Sequence, residues 1–204
     1  MRNLTLALPK GRVLEEAVAL FGKAGVDLSA ITAKTRRLVF DLDQLRVLVV
    51  RDADVPTYVE YGAADLGIAG RDVLEEQGRD LYEPLDLKIG ACRLCVAEPE
   101  DARPAGEHLR YATKFPNLTR RHLEKNGIVA DVIKLSGSVE LGPLTGLADR
   151  IVDLVSSGET LRQHHLREVE TILEVTARLV VNRASLKVRR QAIDSLLSRL
   201  RSVV

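Results

Sequence analysis

Short apolar runs that alternate with segments of helical spacing constrain this chain more than any other feature. Leu4 to Leu8 is apolar and stops at Pro9, after which Leu14, Ala17, Val18 and Phe21 recur on one helical face. Leu45 to Val50 is apolar at five of its six positions, the pattern of a strand covered on both faces. Val55 to Gly62 reads as a short helix, with Pro56 tolerated in its first turn and Gly62 as terminator. Asp65 to Ala69 reads as a strand and Val73 to Gln77 as a helix. The alternation resumes with Leu109 to Thr113, Leu118 to Asn126, Val129 to Leu135, Val139 to Leu144 and Ile151 to Val155. Alternating strand and helix predicts an α/β fold with parallel strands.

Two longer stretches, Leu87 to Glu98 and Glu168 to Val181, read as extended, and a loop rich in Glu, Asp, Pro and Gly follows the first, from Glu98 to Glu107. We read these stretches as crossings between two α/β lobes, residues 1–88 with 178–204 and residues 89–177, with a ligand cleft between them. A final helix, capped by Ser185, carries Ile193, Leu196, Leu197 and Leu200 on one face and returns to the first lobe.

Composition narrows the function. The 204 residues are 46% hydrophobic, enough for a full core without disulfides or a structural metal. Trp is absent, so Val, Leu, Ile and Ala must build that core. Cys92 and Cys95 cannot form a disulfide framework, which fits a reducing cytosol. On an extended segment they point to opposite faces, so they read as structural rather than as a redox pair. The N-terminus lacks the apolar stretch of a signal peptide, and no run approaches the roughly 20 residues that span a bilayer. A formal charge of +1 argues against a nucleic-acid binder. The ends are nonetheless basic, with nine Lys or Arg against five Asp or Glu up to Arg51, and seven against one from Arg178 onward. Small phosphorylated ligands need only a few well-placed arginines.

The segment from Arg150 to Leu161 carries the strongest chemical signal. An apolar strand runs into Asp153, then into the small hydroxyl-rich loop Ser156-Ser157-Gly158-Glu159-Thr160. Thr160 and Gln163 have capping-box spacing, which predicts a helix starting there. Loop amides, hydroxyls and a helix N-terminus make an anion site, and the preceding carboxylate suits sugar hydroxyls. The segment also reads as an ordinary strand–turn–helix with a capping threonine. Pro9-Lys10-Gly11-Arg12 sets two cations at the mouth of a helix, and Gly11 permits close backbone approach. Arg36 and Arg37 precede Leu38-Val39-Phe40, and Arg51 ends the strand Leu45 to Val50. Ligands of parallel sheets gather at the carboxyl ends of strands, where Arg12 and Arg51 fall. His164-His165 lacks partners at metal-ligand spacing and reads as helix surface.

These blocks together resemble the ATP phosphoribosyltransferases. Leu6 to Arg12 is similar to that family's opening motif, and Arg51 to Glu60 with Asp65 to Gly70 to its second block. Thr113-Lys114-Phe115-Pro116 resembles a third block, often written with Tyr where this chain has Phe115. Leu135 to Glu140, through Gly146 to Asp149, to Thr160-Leu161 resembles the family signature. The resemblance implies the two-lobed fold of type II periplasmic binding proteins. It implies condensation of ATP with phosphoribosyl pyrophosphate to N1-(5-phosphoribosyl)-ATP and pyrophosphate, with substrate-bound Mg2+. Carried over by motif, Ser156, Ser157, Gly158, Glu159 and Thr160 hold the 5-phosphate, and Asp153 with Glu140 holds the ribose hydroxyls. Lys10, Arg12 and Arg36 face the pyrophosphate, and Arg51 and Asp72 the ATP. Glu159 departs from many relatives, which carry Asn; a carboxylate there is unfavourable unless it points outward.

The chain's length resembles short members of the family, which work with a regulatory subunit related to histidyl-tRNA synthetase. The implied assembly is a homodimer within a hetero-oligomer, cytoplasmic, without nucleic acid or membrane. A non-catalytic solute-binding domain and a base-salvage phosphoribosyltransferase are the rival readings. Release of pyrophosphate excludes the first, and a trial of adenine against ATP the second.

Overall fold

The structure is a computed structural model, and it describes residues 3–31, 36–102 and 108–204. The first elements are β1 (Leu4–Pro9), α1 (Arg12–Lys23), β2 (Val39–Asp41), β3 (Leu45–Val50), α2 (Val55–Glu60), β4 (Leu66–Gly70), α3 (Arg71–Gln77) and β5 (Tyr82–Asp86). There follow β6 (Cys92–Pro99), β7 (Leu109–Thr113), α4 (Pro116–Lys125), β8 (Ala130–Lys134), α5 (Leu141–Leu144), β9 (Arg150–Val155) and α6 (Glu159–Gln163). The last are β10 (Leu166–Val175), β11 (Ala177–Val181), α7 (Arg183–Val188) and α8 (Arg190–Arg201). Two compact units result: Met1–Leu74 with Gly78–Gly90 and Thr176–Val204, and Glu75–Gln77 with Ala91–Val175.

The first unit is a six-stranded sheet in the order β2-β3-β1-β4-β11-β5. Its centre is parallel: β1 runs in register with β3 from Leu4↔Leu45 to Pro9↔Val50, and pairs with β4 on its other side. β1 is buried along its whole length because the sheet is covered on both faces. Leu4, Leu6 and Leu8 join the core formed with Leu14, Ala17 and Phe21 of α1 and Ile193, Leu197 and Leu200 of α8. Ala7 faces the other way, onto Val55 and Val59 of α2. Each fully buried leucine contributes about 1.5–3 kcal/mol, which is why the strand tolerates no polar interruption in that core. Gly67 of β4 permits α2 to lie close: a Cβ there would come within 2.7 Å of both Val55 Cγ1 and Val59 Cγ2.

The second unit is a five-stranded sheet in the order β10-β6-β9-β7-β8, in which β9, β7 and β8 are parallel. Adjacent residues of β9 serve opposite cores, Ile151 with Cys95, Ala112 and Leu161, and Val152 with Leu94, Tyr111 and Phe115. Cys95 is fully buried, and burial together with its bond to Glu168 pushes its thiol pKa up to about 12, so it stays an inert thiol. Cys92 is only half-buried, and neither cysteine forms a disulfide.

Three local expectations need correction. The extended stretch Leu87 to Glu98 is broken, because Lys88 and Gly90 take positive φ between β5 and β6. Ser185 does not cap the last helical segment. Asn182 does, its side chain accepting from the Ser185 amide at 2.8 Å, while the Ser185 hydroxyl donates to Asp65 Oδ1 at 2.7 Å. Asn182 lies three residues ahead of Ser185, the spacing that a capping side chain needs to reach an N3 amide. His164 and His165 lie past the end of α6 rather than on its surface, and His165 takes a φ of 54°.

Candidate active site

Each unit gathers candidate side chains at the carboxyl ends of its parallel strands. In the first unit β1 ends at Pro9, and the Lys10 amide donates to the Val50 carbonyl at 3.0 Å, which sets Lys10 beside Arg51. β2 runs antiparallel to β3, and the Val49 amide donates to the Leu38 carbonyl at 2.8 Å. That pairing carries Arg36 to the same edge. Lys10, Arg12, Arg36 and Arg51 are all exposed. Arg12 opens α1 and reaches Glu16 at 3.4 Å. Arg37 is spent locally: its guanidinium lies 5.2 Å over the Phe40 ring and its Nε bonds the Val39 carbonyl at 2.6 Å. Among the described residues Arg36 makes no such contact, so of the two adjacent arginines Arg36 is the one left to the edge.

Asp72 sits at the same edge, in the first turn of α3, only 5% exposed. Burial pushes its carboxyl pKa up to about 6, and Asp52 adds to the rise, while the Val73 amide opposes it. A Cβ on Gly70 would collide with Asp72 Oδ1, so glycine is what lets the carboxylate fold back over its own strand end.

In the second unit the loop Ser156–Thr160 follows β9. Gly158 has φ of 76°, a left-handed conformation that a β-branched side chain would strain. The predicted capping box at Thr160 does not form. The helix opens one residue earlier, at Glu159, and the Ser157 hydroxyl accepts the Glu159 amide at 3.3 Å. At five residues α6 is too short for its dipole to contribute much. Glu159 is turned along its own helix: Arg162 Nη2 donates to it at 2.7 Å and Gln163 Nε2 at 3.1 Å. These contacts hold its carboxyl below the usual range, Arg162 chiefly. The orientation leaves the one carboxylate of the loop occupied on the helix side.

Arg93 secures the loop from the neighbouring strand. Glu168 clamps the Arg93 guanidinium at 2.6 to 3.1 Å, and Arg93 Nη1 donates to the Ser156 carbonyl at 3.4 Å. Those bonds, with Arg93 foremost, bring the Glu168 pKa down to about 2. Sequence reasoning missed both residues, because Arg93 and Glu168 are 75 positions apart and only the β6–β10 pairing joins them.

Asp153 stands on β9 two positions before the loop's strand end. Burial raises its carboxyl pKa; Glu140 raises it further and Lys114 opposes the rise. Glu140 begins α5 after the turn that follows β8, so residues from the ends of β9, β7 and β8 meet at one edge. Among the described residues no three acidic, His or Cys side chains cluster as a metal site, and no helix is long and apolar enough to cross a membrane.

The sequence matches the family described as HisG: ATP phosphoribosyltransferase over residues 51–202. It is 55% identical to the ATP phosphoribosyltransferase of Geobacter metallireducens across 97% of this chain and 96% of that protein. It is similar to a solved ATP phosphoribosyl transferase (HisG:HisZ) complex from Thermotoga maritima, with TM-score 0.84, 36% identity and 98% coverage of both chains. The substrate-binding protein of an amino acid ABC transporter shares the fold at 12% identity, with TM-score 0.62 over 98% of this chain and 92% of that one.

Proposed function

The chain belongs to the ATP phosphoribosyltransferase family, and on that premise we propose a division of labour between its two strand edges. The enzyme is a pentosyltransferase that condenses ATP with phosphoribosyl pyrophosphate at the first step of histidine biosynthesis. On our reading the ribose 5-phosphate end is carried by the second unit. Ser156, Ser157, Gly158, Glu159 and Thr160 hold the 5-phosphate, through backbone amides and hydroxyls, and Asp153 with Glu140 accepts the ribose hydroxyls. In the first unit Lys10, Arg12 and Arg36 stabilise the departing pyrophosphate, and Arg51 with Asp72 receives the ATP.

The chemistry suits these residue types. Adenine N1 attacks the anomeric carbon as the bond to pyrophosphate breaks. N1 is already a nucleophile, so no strong base is required and none is assigned. The barrier falls through alignment and through charge placed on the leaving group. The family needs a divalent ion. We take it as Mg2+ bound to the substrate phosphates, the usual mode for an ion that keeps most of its waters.

The single observation behind this reading is the end of β9, where a half-buried carboxylate precedes a left-handed glycine loop whose own acid is turned aside. For partner and location the proposal is a regulatory subunit resembling histidyl-tRNA synthetase, in a hetero-oligomer built on a homodimer, in the cytoplasm. The Thermotoga maritima relative was solved as a HisG:HisZ complex. The test is to mix the purified chain with ATP, phosphoribosyl pyrophosphate and Mg2+ and follow phosphoribosyl-ATP and pyrophosphate together. Both products are expected with ATP and neither with free adenine; turnover of adenine would point to base salvage instead.

A further inference from the structure

We propose that Lys114 is a substrate-binding residue whose ammonium donates to phosphate oxygens of phosphoribosyl pyrophosphate, beside the Asp153 carboxylate. The β7–β9 register pairs Tyr111 with Arg150, Ala112 with Ile151 and Thr113 with Val152, so the next position sets Lys114 abreast of Asp153. In parallel neighbours, residues in register project to the same face. The backbone at Lys114 is held on both sides. The Thr113 hydroxyl donates to the Val152 carbonyl at 2.7 Å and accepts the Phe115 amide at 2.9 Å. Beyond it, the start of α4 is fixed by Glu76, whose two oxygens accept the amides of Asn117 and Leu118 at 3.0 and 2.9 Å.

The side chain between these anchors is exposed, and among the described residues it makes no hydrogen bond or ion pair. Its charge is nevertheless felt by Asp153, whose ionisation it favours against burial. A rigid backbone that presents an uncommitted ammonium next to a half-buried carboxylate fits a ligand bearing both phosphate and hydroxyl groups. ATP carries those groups too, but this inference rests on the reading that Asp153 and the Ser156–Thr160 loop take the ribose 5-phosphate end, which commits it to phosphoribosyl pyrophosphate.

The experiment is calorimetry on the full chain and on Lys114→Ala, Lys114→Gln and Lys114→Arg, titrated with phosphoribosyl pyrophosphate and Mg2+, ATP, ribose 5-phosphate and pyrophosphate. Lys125→Ala, at the far end of α4, controls for loss of one positive charge. Lys114→Ala and Lys114→Gln are expected to weaken phosphoribosyl pyrophosphate on the order of tenfold or more, as for loss of a charge-assisted contact. ATP affinity stays within about twofold, the scale of a remote surface change, and Lys114→Arg recovers most of the loss. A loss for ribose 5-phosphate assigns Lys114 to the 5-phosphate, and a loss for pyrophosphate assigns it to the diphosphate. Unchanged phosphoribosyl pyrophosphate affinity in both neutral variants, or an equal loss for ATP, overturns the proposal. Gly158→Val in the same titration separates the two readings. If it weakens phosphoribosyl pyrophosphate and Lys114→Ala does not, Lys114 alone is misassigned; if neither does, the phosphate loop falls as well.

Discussion

Two neighbouring strand-to-helix turns in the second unit look alike in outline and differ in who occupies them. The turn after β7 leads into the ten-residue helix α4, and its first amides are taken by the protein's own carboxylate, Glu76. The turn after β9 leads into the five-residue helix α6, and its only acid, Glu159, is drawn off by Arg162 and Gln163. The longer helix, with the larger dipole, is therefore the one already neutralised. A helix N-terminus is an anion site only while no internal anion sits on it. On this account the turn after β7 contributes a cation, Lys114, and the turn after β9 contributes the cradle.

The largest effect is expected from Gly158→Val. A β-branched residue at φ near 76° carries strain of about 1–3 kcal/mol, and the loop must shift to relieve it. Phosphoribosyl pyrophosphate affinity should fall by about a hundredfold or more, the loss of two or more charge-assisted bonds, with ATP affinity largely kept. Equal losses for the two substrates, measured by calorimetry, would make the two turns equivalent again.

A second effect concerns the other edge, where a carboxylate is buried with no ion pair among the described residues. Asp72 has a folded pKa of about 6, above the ordinary carboxylate value, so the folded protein takes up a proton before the unfolded chain does. Stability from this group is present below about pH 4 and is lost as pH rises through about 6. At neutral pH its ionisation costs on the order of 3 kcal/mol. Asp72→Asn should therefore raise the melting temperature at pH 8, flatten the pH dependence between pH 4 and 6, roughly the interval between the two pKa values, and weaken ATP binding. Glu168, held near 2, acts with the opposite sign, and its contribution is lost as pH falls from about 4.5 through 2. A variant that melts lower at pH 8 than the parent would show that Asp72 is a structural acid.

Glu76→Ala sharpens the comparison directly. Two α4 amides lose their acceptor, and stability should drop by about 1–2 kcal/mol. The KM for phosphoribosyl pyrophosphate should scarcely move, since that turn is not the cradle. A large rise in KM with unchanged stability would reverse the roles of the two turns. The smallest effect is expected from Glu159→Asn. Its ion pair with Arg162 is exposed, at 57% and 63%, so melting should hardly change. Phosphoribosyl pyrophosphate affinity should rise a few-fold as one negative charge leaves the loop, an effect of the size of a screened surface charge. A loss of affinity would mean that the carboxylate serves the substrate.

The parts of this structure that local pattern decides were legible in the sequence. The apolar run Leu45 to Val50, interrupted only by Arg46, and the helical spacing of Leu14, Ala17 and Phe21 both express burial against a covered sheet, and burial pattern is a local property. That Asp153 lies on a strand and Gly158 in the loop after it was readable because both sit in one short segment. What pattern could not supply were contacts fixed by long-range register. Glu76 over α4 and Glu168 on Arg93 carry no local signal, and each depends on an element 41 or 75 residues away. The capping residues were misread for a related reason. Ser185 and Thr160 have the right chemistry for caps, yet Asn182 and Gly158 occupy the backbone positions where the helices open.

The most direct test of the phosphate cradle is a crystal structure of the chain with phosphoribosyl pyrophosphate and Mg2+. The account expects the 5-phosphate on the amides and hydroxyls of Ser156 to Thr160, with the ribose hydroxyls on Asp153 and Glu76 still on the α4 amides. A 5-phosphate seated at the start of α4 with Glu76 displaced, or bound among Lys10, Arg12 and Arg36, would contradict it.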